Sequence, residues 1–153
     1  GVESTLDFDP YAMVGAATFA WSVGTSTIVG PKQDNNHNNR VLSSIDPGDY
    51  VGLEKVAFGT DGAKSLTMSI ANANETGTVE VYIDDHTKAE NKVGELTVTT
   101  TGSDTTFADM SVNLAAPVTG THRLFFVFKA EGILVDTWSF GKDPAICPPK
   151  HKL

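Results

Sequence analysis

An all-β sandwich of two antiparallel sheets is the fold the sequence predicts, and three observations predict it. Apolar residues recur with a period of two in short runs, most clearly Leu66, Met68, Ile70 and then Val79, Val81, Ile83, each set bounded by Gly or Asn. No stretch carries a helical period over three turns, and no internal repeat is visible. Residues 45–59, IDPGDYVGLEKVAFG, join a tight turn to a strand whose apolar phase slips by one between Leu53 and Val56. Pro presets φ in such a turn and Gly takes the geometry other residues resist, while the slip reads as a β-bulge near Glu54 and Lys55.

The chain of 153 residues fits one domain with a sizeable core, at 40% hydrophobic content. A formal charge of −8 and a pI near 4.8 set it against phosphate backbones and anionic lipid, so neither nucleic acid nor membrane is expected as a partner. Its longest apolar run, residues 124–128, falls far short of the roughly 20 residues that cross a bilayer. No leader is visible, so the chain reads as a mature protein or an excised module. One cysteine, Cys147, sits in the Pro-rich tail ICPPKHKL, which excludes an internal disulfide.

At the start, Leu6-Asp7-Phe8-Asp9 alternates apolar with acidic, so in a strand both carboxylates leave one face. A hard cation such as Ca²⁺ relieves their repulsion, and a solvated edge strand is the plain alternative. Residues 11–27 are small, apolar and hydroxylated, with Gly15 and Gly24 as breakers, and supply one or two short strands around Trp21. The segment GPKQDNNHNNR, residues 30–40, holds four Asn, one Asp and one His with no apolar side chain. Such a surface loop suits sugar hydroxyls, with His37, Asn39 and Arg40 as its candidate contacts, or it is simply a turn-rich connection.

Beyond the bulged strand, the sets 66–70 and 79–83 are expected to pair with one another. Asp84-Asp85-His86 invites a catalytic or metal reading, but the charged residues after it mark an exposed hairpin loop. Asn74-Glu75-Thr76 fits a glycosylation sequon. Val93, Leu96 and Val98 form a further strand, and TTTGSDTT turns into another whose phase is expected to slip between Phe107 and Met110. Residues 124–128, LFFVF, are apolar at every position, so that strand must be covered on both faces. His122 reads as an edge residue. In the last strand, 133–140, alternation sets Asp136 with Trp138 and Phe140. With first and last strands adjacent, Asp136 meets Asp7 and Asp9, and three converging carboxylates point to bound calcium. Enzyme signatures are missing: there is no phosphate loop, no HExxH, no CxxC and no G-x-S-x-G.

Taken together, these segments resemble the family 6 carbohydrate-binding modules and their family 35 and 36 neighbours, over about residues 6–140. The resemblance rests on Leu6-Asp7-Phe8-Asp9-Pro10-Tyr11 with Met13 and Gly15, on Ile45-Asp46-x-Gly48-Asp49-Tyr50-Val51, and on Phe58-Gly59 and Gly62-Ala63-Lys64. Gly77-Thr78-Val79-Glu80-Val81, Val118-Thr119-Gly120-Thr121-His122 and Leu124-Phe125-Phe126-Val127-Phe128-Lys129 complete it. It implies a jelly-roll sandwich, a structural calcium on Asp7, Asp9 and Asp136, no catalysis, and polysaccharide as the partner. It further implies a secreted monomeric module, residues 1–141, tethering a glycoside hydrolase to xylan, arabinoxylan or β-1,3-glucan, with residues 142–153 as linker. The family's end-of-sandwich site uses a Tyr, a Trp and an Asn, which fall here on Ser44, Asp104 and Leu134. Without those aromatic walls, three outcomes are open: Trp21 and the 30–40 loop rebuild the site around Ser44 and Asp104, the concave sheet face that some members use takes over, or the domain is an adhesion sandwich that has lost sugar binding.

Overall fold

The structure, a computed structural model, describes residues 9–12, 14–15, 21–24, 26–29, 40–43 and 45–143; at 14–15, 21–23, 26–29, 40, 41 and 43 it describes the backbone alone. Its strands are β1 (Val14–Gly15), β2 (Trp21–Val23), β3 (Ser26–Val29), β4 (Arg40–Ser43), β5 (Tyr50–Ala57) and β6 (Ala63–Ala71). There follow β7 (Gly77–Ile83), β8 (Lys92–Val98), β9 (Phe107–Val118), β10 (Thr121–Lys129) and β11 (Leu134–Gly141). One antiparallel sheet runs β3-β4-β11-β6-β9, with β1 also on β11, and the other runs β2-β5-β10-β7-β8. First and last described strands are thus neighbours, Val14 standing opposite Trp138.

Alternate side chains of both sheets fill the space between them, as the period of two requires. Trp138 and Phe140 of β11 meet Phe126 of β10 and Phe58 beyond β5, with Phe126 and Trp138 ring centres 5.2 Å apart and Phe58 edge-on to Phe140 at 5.3 Å. Leu66, Met68 and Ile70 from one sheet and Val79, Val81, Leu124 and Phe128 from the other complete this core.

The turn before β5 forms as the sequence dictates. Asp49 N–H bonds Asp46 C=O at 3.0 Å, the Asp49 carboxylate accepts from Asp46 N–H at 2.8 Å, and Gly48 takes φ +98°. The bulge also falls where the phase slips: His122 pairs with Val56 but Leu124 with Leu53, and Lys55 has φ 51°.

Three local expectations are corrected. The 66–70 and 79–83 runs do not pair; β6 bonds β9 and β11 while β7 bonds β10 and β8, so the two runs face each other across the core. No slip separates Phe107 from Met110, because β9 keeps register with β6 from Phe107 to Asn113, which leaves half-buried Phe107 out of phase with buried Met110. Register breaks instead where Ser65 pairs with Asn113 and Ala63 with Val118. Finally, Val135 pairs with Ile70 but Thr137 with Ser69, so a bulge at Asp136 takes it out of the alternation that Trp138 and Phe140 share.

The loops at the Leu134 end are tied by one fully buried residue, Asn72. Its amide donates to the Glu75 and Thr99 carbonyls at 3.1 and 3.2 Å, its Oδ1 accepts from Asn74 N–H at 2.9 Å, and its own C=O accepts from Thr101 N–H at 2.8 Å. Buried polar groups stripped of partners cost about 1–3 kcal/mol each, so Asn72→Ala is expected to destabilise the domain by about 2–3 kcal/mol. Chemical denaturation measures this, and a loss below about 0.5 kcal/mol would show that the loops hold without it.

Candidate functional site

β10 is central in the five-stranded sheet and buried on both faces. Leu124, Phe126 and Phe128 enter the core, which leaves Phe125 and Val127 on the outer face, where they are nonetheless 4% and 7% exposed. What covers them is the candidate site. The Tyr50 ring meets Phe125 edge-on at 6.3 Å, and His86 lies 4.1 Å from Tyr50 and 5.0 Å from Phe125 between ring centres. Both outer rings are half-buried, so they present a surface as well as a lid.

Cross-strand register arranges the neighbours. One row holds Trp21, Gly52, Phe125 and Tyr82, and the next holds Val23, Tyr50, Val127, Glu80 and Glu95. The Tyr82 hydroxyl donates to Glu80 at 2.9 Å, and Lys92 reaches Glu80 at 3.6 Å and Glu95 at 2.8 Å. Burial first, then the hydrogen bond and charge of Glu80, hold the Tyr82 phenol above its ordinary pKa. Hydrogen bonding to Glu95 likewise raises Lys92. The result is a ring surface flanked by fixed carboxylate acceptors, able to stack on the C–H face of a sugar and accept from its hydroxyls.

Of the residues singled out from sequence, His37, Asn39, Ser44 and Asp7 lie outside the described residues, as do Cys147 and the tail beyond Asp143. Trp21 stands opposite Gly52 in the Phe125 row, and Arg40 opposite Val29. Asp104 is exposed in the loop after β8 and Leu134 begins β11, at the end that Asn72 ties together. β3 and β4 pair from Ser26 opposite Ser43 to Val29 opposite Arg40, and residues 30–39 lie outside the described residues.

Asp9 is exposed, its Oδ1 accepting from Tyr11 N–H at 2.9 Å, and Pro10 C=O accepts from Phe140 N–H at 2.8 Å. Asp136 sits four residues before Phe140, about 13 Å along an extended strand. The described backbone thus does not bring Asp9 and Asp136 together, and among the described residues no three His, Cys, Asp or Glu side chains gather to hold a metal.

Sequence reasoning left Asp84-Asp85-His86 in an exposed hairpin and His122 at an edge. His122 Nδ1 lies 3.0 Å from both Asp84 oxygens and its Nε2 2.7 Å from Thr119 C=O, a link that fixes the turn at the far end of β10. Asp85 anchors the loop by accepting from Thr87 N–H and Oγ1, bonds that hold its carboxyl below the usual range. The loop so held carries His86 onto Tyr50. Tyr50, Tyr82 and Phe125 were missed as a site; the signal available was that LFFVF demands a cover for its second face and that Tyr50 and Gly52 alternate away from Val51 and Leu53.

Comparison with known proteins places the chain. Residues 15–142 match the family model described as Carbohydrate binding module (family 6). Two arabinoxylan arabinofuranohydrolases, from Bacillus subtilis (strain 168) and Paenibacillus polymyxa, are 32% and 30% identical over 92% of this chain, which spans 27% and 22% of their lengths. The crystal structure of a glycoside hydrolase family 43 arabinoxylan arabinofuranohydrolase from Bacillus subtilis, in complex with cellotetraose, superposes with a TM-score of 0.82 at 31% identity, covering 92% of this chain and 29% of that one.

Tyr82 makes the site's electrostatics measurable. Its pKa is raised on folding, so the stabilisation of the phenol is complete below the unperturbed value of 10.0 and is lost as pH rises through the folded value. In an ultraviolet tyrosinate titration, with Tyr82→Phe to identify the signal, Glu80→Gln is expected to lower that folded pKa. An unmoved titration would remove Glu80 from the causes and leave burial as the leading one.

Proposed function

Because the chain belongs to carbohydrate-binding module family 6, we propose that it is a noncatalytic module of a secreted glycoside hydrolase, holding that enzyme on arabinoxylan or xylan. The observation that carries this reading is the ring surface of Tyr50 and His86 over Phe125, flanked by Glu80 and Tyr82. Its place on the sheet face accommodates the replacement of the family's aromatic walls by Ser44 and Asp104 and of its Asn by Leu134. Trp21 joins the same reading through its register opposite Gly52. The arabinoxylan assignment draws on the two arabinofuranohydrolases, of which this chain matches about a quarter of the length. That share also supports an appended catalytic domain as partner.

Affinity gel electrophoresis against arabinoxylan, xylan, β-1,3-glucan and mixed-linkage glucan tests the reading. Retardation is expected on the xylans, with Tyr50→Ala weakening it about thirtyfold, the effect of removing a central aromatic anchor. Retardation unchanged in both Tyr50→Ala and Trp21→Ala would move the site to the sandwich end with Ser44 and Asp104. No retardation on any gel would favour an adhesion sandwich.

Calcium is the finer part of the proposal. Asp7, Asp9 and Asp136 are the acids proposed to hold it, Asp7 lying outside the described residues. A cation bound only by the native state stabilises by mass action, about 2.7 kcal/mol at a hundredfold excess over Kd. Chelation is therefore expected to lower the melting temperature, the shift shrinking or vanishing in Asp9→Asn and in Asp136→Asn. A melting temperature indifferent to chelator, with metal shown absent, removes calcium from the account.

A further inference from the structure

His122 belongs to β10 but joins two loops. It alternates with Leu124 and Phe126 toward the space between the sheets, stands opposite buried Val56, and is half-buried where the sandwich opens to solvent. Its Nδ1 lies 3.0 Å from both carboxylate oxygens of Asp84, the residue after β7, and its Nε2 lies 2.7 Å from the C=O of Thr119, in the turn between β9 and β10. Both partners are acceptors. A neutral imidazole carries one N–H and one lone pair, so it would satisfy one partner and turn its lone pair on the other; only the imidazolium donates to both.

The link runs from a fixed turn to a strained one. Gly120 N–H bonds Gly59 C=O at 2.9 Å and Gly120 C=O accepts from Phe58 N–H at 2.7 Å, so the Thr119 turn is fastened to the chain after β5. Asp84 has φ 70°, a region that residues other than glycine seldom occupy and that persists only where the surroundings impose it. Its N–H bonds Arg123 C=O at 3.0 Å, and its side chain is set by His122. Two residues on, His86 comes to rest 4.1 Å from Tyr50 and 5.0 Å from Phe125 between ring centres.

Few charges face His122. Asp84 comes from the loop after β7. Across a cleft of about 340 Å³ that His122 helps line stand Glu90 and, on β8, Lys92, which is already paired with Glu80 and Glu95. Residues 115–118 of β9 and the Phe58 ring, 6.3 Å away between centres, bring no charge, and exposed Arg123 alternates to the other face of β10.

We propose that His122, as its imidazolium, is a positioning residue for the sugar-binding face: held by Thr119, it sets Asp84 and with it the loop that lays His86 on Tyr50 and Phe125. The inference rests on the ring-surface reading above. The link is whole while the imidazole is charged and loses one of its two donations as pH rises, so the face is best ordered at acid pH. Asp84 is exposed, and a pair so open to solvent is worth only a few-fold in an equilibrium.

Calorimetric titration of the whole chain with xylohexaose between about pH 5 and 8, where imidazole titrates, tests this. Affinity is expected to fall about threefold from the acid end to the alkaline end. His122→Gln, and Asp84→Gly, which removes the carboxylate yet accepts the left-handed backbone, should lose this component and bind at the acid end as weakly as the parent does at the alkaline end. Any slope that survives in them belongs to His86. Without sugar, the nuclear Overhauser contact between the His86 and Phe125 rings should weaken over the same pH range in the parent and be weak throughout in both variants. A profile of the same shape in parent and variants, whether or not the variants bind more weakly, overturns the positioning role and leaves the ring surface standing. Failure of xylohexaose and arabinoxylan to bind at any pH overturns the ring surface, and the ring contact then decides: a pH dependence lost in both variants upholds the role of His122, and one they leave unaltered overturns it.

Discussion

The burial of β10 on two faces is the constraint from which the rest of the structure follows. A strand in a two-layer sandwich has one face inside, yet residues 124–128 are apolar at every position and all buried. The inner three residues need the opposing sheet, and β11 supplies Trp138 and Phe140. The outer two need a cover that a free sheet face does not provide. Tyr50 and His86 supply it, and a half-buried aromatic cover is by its nature a surface with an apolar side turned to water. The candidate site is thus a by-product of completing the core, not an addition to it.

Much of this architecture was legible in the chain. The turn at Asp46-Pro47-Gly48-Asp49, the bulge at Glu54 and Lys55 and the two-sided burial of LFFVF depend on local chemistry, and each is where the residues put it. What was not legible depends on which strands meet. A period of two says that Leu66 and Val79 face a core but not from which sheet, and β6 and β7 lie in different ones. The bulge at Asp136 has no composition signal at all, because it is set by the register of β11 against β6. That single extra residue is also why a face shared by Asp136, Trp138 and Phe140 does not form.

The site divides the same way. Its demand was visible, since an all-apolar strand must be covered, but its members were not, because Tyr50, Glu80 and Phe125 are brought together by cross-strand pairing and His86 by a loop that folds back. The loops around Asn72 differ from both cases: a buried amide with several backbone partners fixes their geometry before any ligand arrives, so a sugar meeting that end finds an ordered surface.

The pairing pattern also governs how this domain reaches its native state. Val14 stands opposite Trp138, close to the two ends of the described chain, and Leu53 of the bulged strand waits for Leu124 far downstream. Each pairing closes a long loop, whose entropic cost must be met before its contacts are gained. Chains dominated by such non-local contacts fold slowly, on the order of milliseconds to seconds. Until β10 docks between β5 and β7, its unbroken apolar run is an exposed, aggregation-prone strand. The segment that demands the aromatic cover is therefore also the one most dependent on prompt folding.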